Sequence, residues 1–332
     1  MKRRVMPIGY LFLIVTLLVG TAAQGQEMRK LKAAYTSISG NMTPLWAARE
    51  GGIFKKYGLD VELLSMPSGQ EGMNALIAGE LEFLQIAGST TTAAAVGGAE
   101  VVALATTIER LVTSLVVGPA IQKPEDLKGK SIGISRFGTS IDTAARLAIK
   151  HYGLEPMKDV AIAQIGAVNS LLASLRSNRI QAAILSYPTV TQARREGFRE
   201  LLDIASLNMP YASTGITLRR ALLQRDPNLA ATYVRAMVEA IALLKKDKAF
   251  ALEVMRKYLR TQDQEILEET YDVSVIKYLK KYPLPTPEAF QSVLDELVQE
   301  NPKAKGQDPR KFYDDSIVRE LVKSGFIDSL YR

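Results

Sequence analysis

Lys30-Leu-Lys-Ala-Ala-Tyr-Thr36 and, further on, Lys130-Ser-Ile-Gly-Ile-Ser135 open two copies of one pattern. After the first, a Gly/Ser loop leads to a helix running into Tyr57-Gly-Leu-Asp60. A short strand over 61–64 follows, then a helix ending at Ala75-Leu-Ile-Ala-Gly-Glu-Leu-Glu-Phe83. After the second, a Gly/Thr/Ser loop leads to a helix into Tyr152-Gly-Leu-Glu155, a strand over 160–164, and a helix ending at Ser174-Leu-Arg-Ser-Asn-Arg-Ile-Gln-Ala182. Tyr57 maps onto Tyr152 at an offset of 95, and Leu76 onto Leu175 at 99. Strand–helix–strand–helix–strand written twice predicts two similar lobes, and a cleft between lobes is where a small ligand binds.

Helices alternate with short apolar strands in both copies, the order of a mainly parallel sheet flanked by helices. Thr43-Pro44 reads as a helix start with a capping hydroxyl, and Thr139-Ser-Ile-Asp142 as a capping box with Asp in the third position. After about residue 220 strands give way to helices, expected near 248–259, 263–280, 287–299 and 312–323. Leu229, Tyr233, Ala236, Met237, Ala240, Ile241 and Leu244 share one helical face. This tail is expected to pack back on the first lobe. The segments 111–117 and 211–217 are placed to cross between lobes, making a hinge.

Lys2-Arg3-Arg4, an apolar run over 8–19 and the small polar stretch over 21–26 have the three regions of a cleavable signal peptide. The run is shorter than the ~20 residues a membrane span needs. No cysteine follows it for lipid attachment, so a periplasmic, non-lipoprotein location is expected. Removing residues 1–26 deletes three positive charges, taking the net charge from +7 to +4. Lys and Arg are dispersed among acids, with no stripe for nucleic acid or membrane. The chain has no cysteine and one histidine. Disulfides, thiolate nucleophiles and multi-histidine metal sites are thereby excluded, and imidazole chemistry is disfavoured.

Asp126-Leu-Lys-Gly-Lys-Ser-Ile-Gly133, Tyr57-Gly-Leu-Asp60, Leu76-Ile-Ala-Gly-Glu-Leu-Glu-Phe83 and Ala182-Ala-Ile-Leu-Ser-Tyr-Pro188 resemble solute-binding proteins of ABC importers. Within these, they are most similar to the sulfonate-, nitrate- and thiamine-precursor-binding (NMT1-like) group. The resemblance runs from about residue 30 to the C-terminus, carried by the order and spacing of motifs that are individually weak. It implies an α/β, two-lobed periplasmic-binding-protein fold (type 2) with two hinge crossings and a helical C-terminal tail. On that division, 27–115 and 215–332 form lobe 1 and 116–214 lobe 2. It also implies a monomer that passes a small-molecule solute to an inner-membrane permease with a cytoplasmic ATPase, without nucleic acid, metal or cofactor.

In open α/β sheets, ligands sit beyond the carboxyl ends of the strands, where free helix N–H groups favour an anion or a strong acceptor. Three loops meet that description: Ser37, Ser39, Gly40 and Asn41; Gly88, Ser89 and Thr90; Gly138, Thr139 and Ser140. In the resemblance, corresponding loops contact ligand, although each hydroxyl can equally serve only as a helix cap. Trp46 is placed to flank a ligand or fill a core, and Tyr187 ends a strand at the cleft. Arg136 suits bidentate pairing with a carboxylate or sulfonate, or is a solvated loop charge. Asn169 and Ser170 begin a helix near the cleft. Glu109 and Arg110 are expected to pair with each other near the hinge, and His151 to serve as a helix C-terminal cation. Enzymes that resemble this family carry catalytic Cys and His positions, and this chain has no Cys. With no acid pair in the three loops, no catalytic residue is expected. A small organic anion is the favoured ligand; a pyrimidine or thiamine precursor, or a sensing role for a membrane receptor, stays open.

Overall fold

In the computed structural model, residues 28–332 are described; the expected signal segment lies outside them. The first sheet orders its strands β2-β1-β3-β10-β4: β1 (Arg29–Tyr35), β2 (Leu59–Ser65), β3 (Phe83–Ile86), β4 (Val101–Ile108) and β10 (Thr214–Arg219). The second orders them β7-β6-β8-β5-β9: β5 (Ser114–Val117), β6 (Ser131–Ile134), β7 (Ala161–Gln164), β8 (Ala182–Leu185) and β9 (Arg199–Asp203). In each sheet three strands run parallel, and the next is antiparallel: β10 beside β3, β5 beside β8. That antiparallel strand comes from the far side of a crossing, so each lobe is completed by chain arriving from the other.

Helices α1 (Thr43–Glu50), α2 (Ile53–Lys56), α3 (Gly69–Ala78) and α4 (Gly88–Val96) flank the first sheet; α5 (Ser140–His151), α6 (Val168–Arg176) and α7 (Thr189–Arg195) flank the second. The repeat is structural. Tyr57 and Tyr152 each follow the last residue of a helix, and the next residues, Gly58 and Gly153, have φ 73° and 72°. That left-handed conformation ends a helix cheaply only without a Cβ. Leu76 and Leu175 are both buried beneath their sheets.

The tail comprises α8 (Arg220–Arg225), α9 (Pro227–Lys246), α10 (Lys248–Leu259), α11 (Gln264–Tyr271), α12 (Pro287–Leu297), α13 (Ser316–Lys323) and α14 (Phe326–Ser329). Along α9, the seven residues expected on one face are all buried. Tyr233 stacks on Phe83 of β3 with ring centroids 3.7 Å apart. The α9 and α10 helices pack on α1, and α12 packs on α4, so the tail does return to the first lobe. The helix expected over 263–280 is interrupted: beyond Tyr271 it widens to a π-helical turn, Asp272–Lys277. There Lys245 Nζ donates to the Val275 carbonyl (2.7 Å), and burial holds its pKa below the ordinary lysine value.

Each expected crossing is half linker and half strand, because β5 and β10 begin inside it. The linkers, 109–113 and 208–213, run side by side: Tyr211 N–H donates to Glu109 O and Ser213 N–H to Ile108 O, both at 3.2 Å. The buried Tyr211 hydroxyl also meets the Thr143 hydroxyl of α5 at 2.9 Å. Glu109 and Arg110 do not pair as side chains. The Glu109 carboxylate takes Lys280 and Thr286 of the tail, while Arg110 donates to the Glu109 carbonyl. The Thr43 hydroxyl does not cap α1 but donates to Gly40 O (2.7 Å), and Ser39 caps the short turn before it.

Candidate functional site

Between the two sheets lies a cavity of about 210 Å³, at the carboxyl ends of β1, β2, β3, β6, β7 and β8. Its wall holds thirteen Ser or Thr residues and two asparagines, Asn41 and Asn169; the remaining ten residues are aliphatic side chains, methionine, proline or glycine. Among the described residues, no ionisable or aromatic side chain lines it. Both linkers reach it, through Thr113 and Ser213, and so form part of its wall.

Five helical starts border the cavity, and their capping differs. Ser39 accepts from Asn41 N–H, and Ser68 from Glu71 N–H at the start of α3. The α4, α5 and α6 helices, with Ala87, Thr139 and Ala167 at their N-caps, have no side-chain cap. Alanine has no acceptor to offer. Thr139 has one but spends its hydroxyl locally, donating to Arg136 O at 2.8 Å and lying 3.2 Å from the Ser135 hydroxyl. The predicted capping box is therefore half formed: Asp142 accepts from Gly138 N–H (3.0 Å) while the Thr139 side chain contributes nothing to the helix start. Three helix N-termini bring positive dipole ends and first-turn N–H groups without side-chain acceptors to one neutral chamber.

Two wall residues, Thr90 and Thr113, have hydroxyl oxygens that are enclosed within the wall and without a hydrogen-bond partner among the described residues. A buried polar atom left unpaired costs free energy, and a shift of the wall that let a ligand reach either hydroxyl would recover that cost.

Of the residues singled out in the sequence, Ser37, Ser39, Asn41, Thr90, Thr139, Ser140 and Asn169 line this chamber. The others lie elsewhere. Gly40 donates its N–H across the cleft to Tyr187 O (3.1 Å); the largely buried Tyr187 serves through that carbonyl, and burial pushes its phenol pKa up. Gly88 N–H is taken by Ala212 O (2.8 Å), and a Cβ on Gly88 would lie 2.5 Å from the Ala212 Cβ, so glycine here admits the second linker. Ser89 and Gly138 line a smaller neighbouring pocket with Tyr211. Arg136 pairs with Glu71 at 2.9 Å, from lobe to lobe. Trp46 does not flank the chamber: it is fully buried, stacked on Tyr258 at 4.8 Å, because its face of α1 turns toward the tail. Ser170 is absent from the wall, and His151 ends α5 with its ring edge against Tyr152.

Sequence reasoning missed Thr113, Ser213, Ser65, Ser68, Ser135 and Ser186 on the wall. Ser65, Ser135 and Ser186 each end or directly follow a strand, a signal that was available. Thr113 and Ser213 belong to the linkers, where nothing local marks a site.

The protein-family model described as NMT1/THI5 like matches residues 39–249. A protein named as a binding protein in Brucella abortus (strain 2308) is 30% identical over 226 residues, 67% of this chain and 69% of that one. A solved structure of a protein from Bordetella bronchiseptica RB50 superposes with TM-score 0.76 at 22% identity, covering 90% of this chain and 98% of that one. The alkanesulfonate-binding protein SsuA from Xanthomonas axonopodis pv. citri, bound to MOPS, gives TM-score 0.70 at 15% identity, covering 89% and 98%. At these identities the structures establish shared architecture, that of periplasmic solute-binding proteins, and the sequence matches establish kinship: the chain belongs to the NMT1/THI5-like family.

Proposed function

We propose that this protein is the extracytoplasmic solute-binding component of an ABC importer. It captures a small organic anion, of the sulfonate or carboxylate class, by closure of the lobes and delivers it to an inner-membrane permease. The observation that carries this reading is the chamber itself: three helix starts without side-chain caps and a wall of hydroxyls, with no charge inside. Neutral donors at helix N-termini suit an oxyanion, whose oxygens accept several N–H and O–H bonds at once. The aliphatic part of the wall, including Ile38, Met66, Ile86 and Val168, suits a short alkyl portion. A flat heteroaromatic ligand is less well served, since no aromatic side chain stands on the wall to stack on it. General acid–base catalysis is unsupported as well, because the wall offers no carboxylate, imidazole or amine.

Export through the segment 1–26 and action as a monomer complete the proposal. Among the described residues no helix is long and apolar enough to cross a membrane. A thermal-shift screen against alkanesulfonates, alkanoates and pyrimidines tests the ligand class. A ligand at a hundred times its Kd adds about 2.7 kcal/mol to folding stability. A response confined to pyrimidines would overturn the anion assignment.

A further inference from the structure

The two lobes meet through ion pairs of a single polarity. From the second lobe come Arg136 in the loop before α5, Arg146 and Lys150 on α5, and Arg194 and Arg195 on α7. From the first lobe and its tail come Glu71 on α3, Asp263 and Glu265 with Glu269 at the start of and along α11, and Glu296 and Glu300 at and beyond the end of α12. The pairs are Arg136–Glu71 (2.9 Å), Arg146–Glu300 (2.9 Å), Lys150–Glu296 (3.2 Å), Arg194–Glu269, and Arg195 with both Asp263 and Glu265. In all six the cation belongs to the second lobe and the anion to the first lobe with its tail. The ligand chamber between them carries no charge.

We propose that this complementarity is a closing force independent of ligand: the lobes attract one another across the cleft, and the closed form is populated before any solute binds. The proposal rests on the hinge reading above and adds what drives the hinge. An exposed pair shifts an equilibrium by up to about fivefold, and these five cations act in the same direction on one motion, Arg146 and Arg194 being shared with Asp142 and Glu200 of their own lobe. They are distributed around the cleft rather than clustered. Arg136–Glu71 stands at the chamber's edge, since Ser68, which bonds Glu71 (3.2 Å), and Thr139, which bonds the Arg136 carbonyl, both line the wall. Arg194 and Arg195 close against α11, and Arg146 and Lys150 against α12. Because most of these side chains reach solvent, salt screens them: the Debye length falls from roughly 20 Å near 20 mM to about 4 Å near 500 mM salt.

The test is small-angle X-ray scattering of ligand-stripped protein from about 20 mM to about 500 mM NaCl. The radius of gyration of the wild type is expected to rise with salt. The double variant Arg194→Gln, Arg195→Gln is expected to be expanded at low salt already and to lose most of that response. Should the double variant fold poorly, Glu71→Gln provides a smaller loss on another face, and the wild-type titration needs no variant. A wild-type radius unchanged across the salt range, or a folded double variant as compact as wild type at low salt, overturns the proposal. Ethanesulfonate added at high salt separates the two readings. Compaction there with a salt-independent apo radius removes only the electrostatic latch. A salt-dependent apo radius with no ethanesulfonate effect keeps the latch and removes ethanesulfonate as a solute.

Discussion

Thr90 and Thr113 hold the unpartnered hydroxyls on the chamber wall, one at the start of a helix and one in a linker. Replacing either by valine keeps the shape and deletes the hydroxyl. Each change is expected to weaken solute binding roughly 2- to 10-fold, the worth of one neutral hydrogen bond. The melting temperature should hold or rise, because an unpaired buried polar atom is removed. Calorimetric titration beside a thermal melt checks both halves; unchanged affinity in Thr113→Val would take that hydroxyl out of the site. Trp46 predicts the reverse. Its ring is enclosed by Tyr35 and Tyr258, so Trp46→Ala should cost about 3–5 kcal/mol in urea unfolding while the folded fraction binds solute normally. Trp46 had two readings in the sequence because α1 has a cleft side and a tail side. Only packing against α9 and α10 decides which side its indole takes.

At the scale of elements, helix starts and linkers do the positioning. Gly88 opens α4 directly against Ala212 of the second linker, so Gly88→Ala forces the two apart. A loss of about 1–3 kcal/mol in stability is expected, and denaturant titration would show it; a neutral result would mean that the linker yields freely. The start of α11 predicts a pH effect. Asp263 is held below the ordinary carboxylate value first by the Ile266 N–H that it caps and then by Arg195 of the other lobe. A depressed folded-state value gives stability that is present above the unfolded value near 3.8 and lost as pH falls through the lower folded one. Thermal melts between pH 6 and pH 3 are therefore expected to fall less steeply in Asp263→Asn than in wild type. Equal slopes would show that the cap and ion pair contribute nothing measurable. Capping was legible in the sequence as a list of hydroxyls near helix starts. It was not legible as a choice, since Thr139 could face its helix or the Arg136 carbonyl, and local sequence permits both.

Over the whole molecule, the hinge is two antiparallel linkers tied to each other and, through the Tyr211 hydroxyl, to α5. Burial pushes the Tyr211 phenol up to about 12 and keeps it a neutral hydrogen-bonding group throughout the physiological range. Tyr211→Phe is expected to cost about 0.5–1.5 kcal/mol and to change the scattering response to solute, which calorimetry and small-angle scattering would read. The duplicated strand–helix order, the two mainly parallel sheets, the amphipathic tail and the hydroxyl-rich loops at strand ends could all be read from the sequence alone. Each of these rests on residues near one another in the chain, through periodicity, turn glycines and propensity. Tertiary structure alone decided that Thr113 and Ser213 enter the chamber wall, that Arg136 is engaged by Glu71, and that Trp46 faces the tail. It also decided that the charges of the second lobe find opposite charges on the first. Those outcomes depend on how two separately folded lobes come together, and neither local periodicity nor propensity carries the distance between residues sixty or a hundred positions apart.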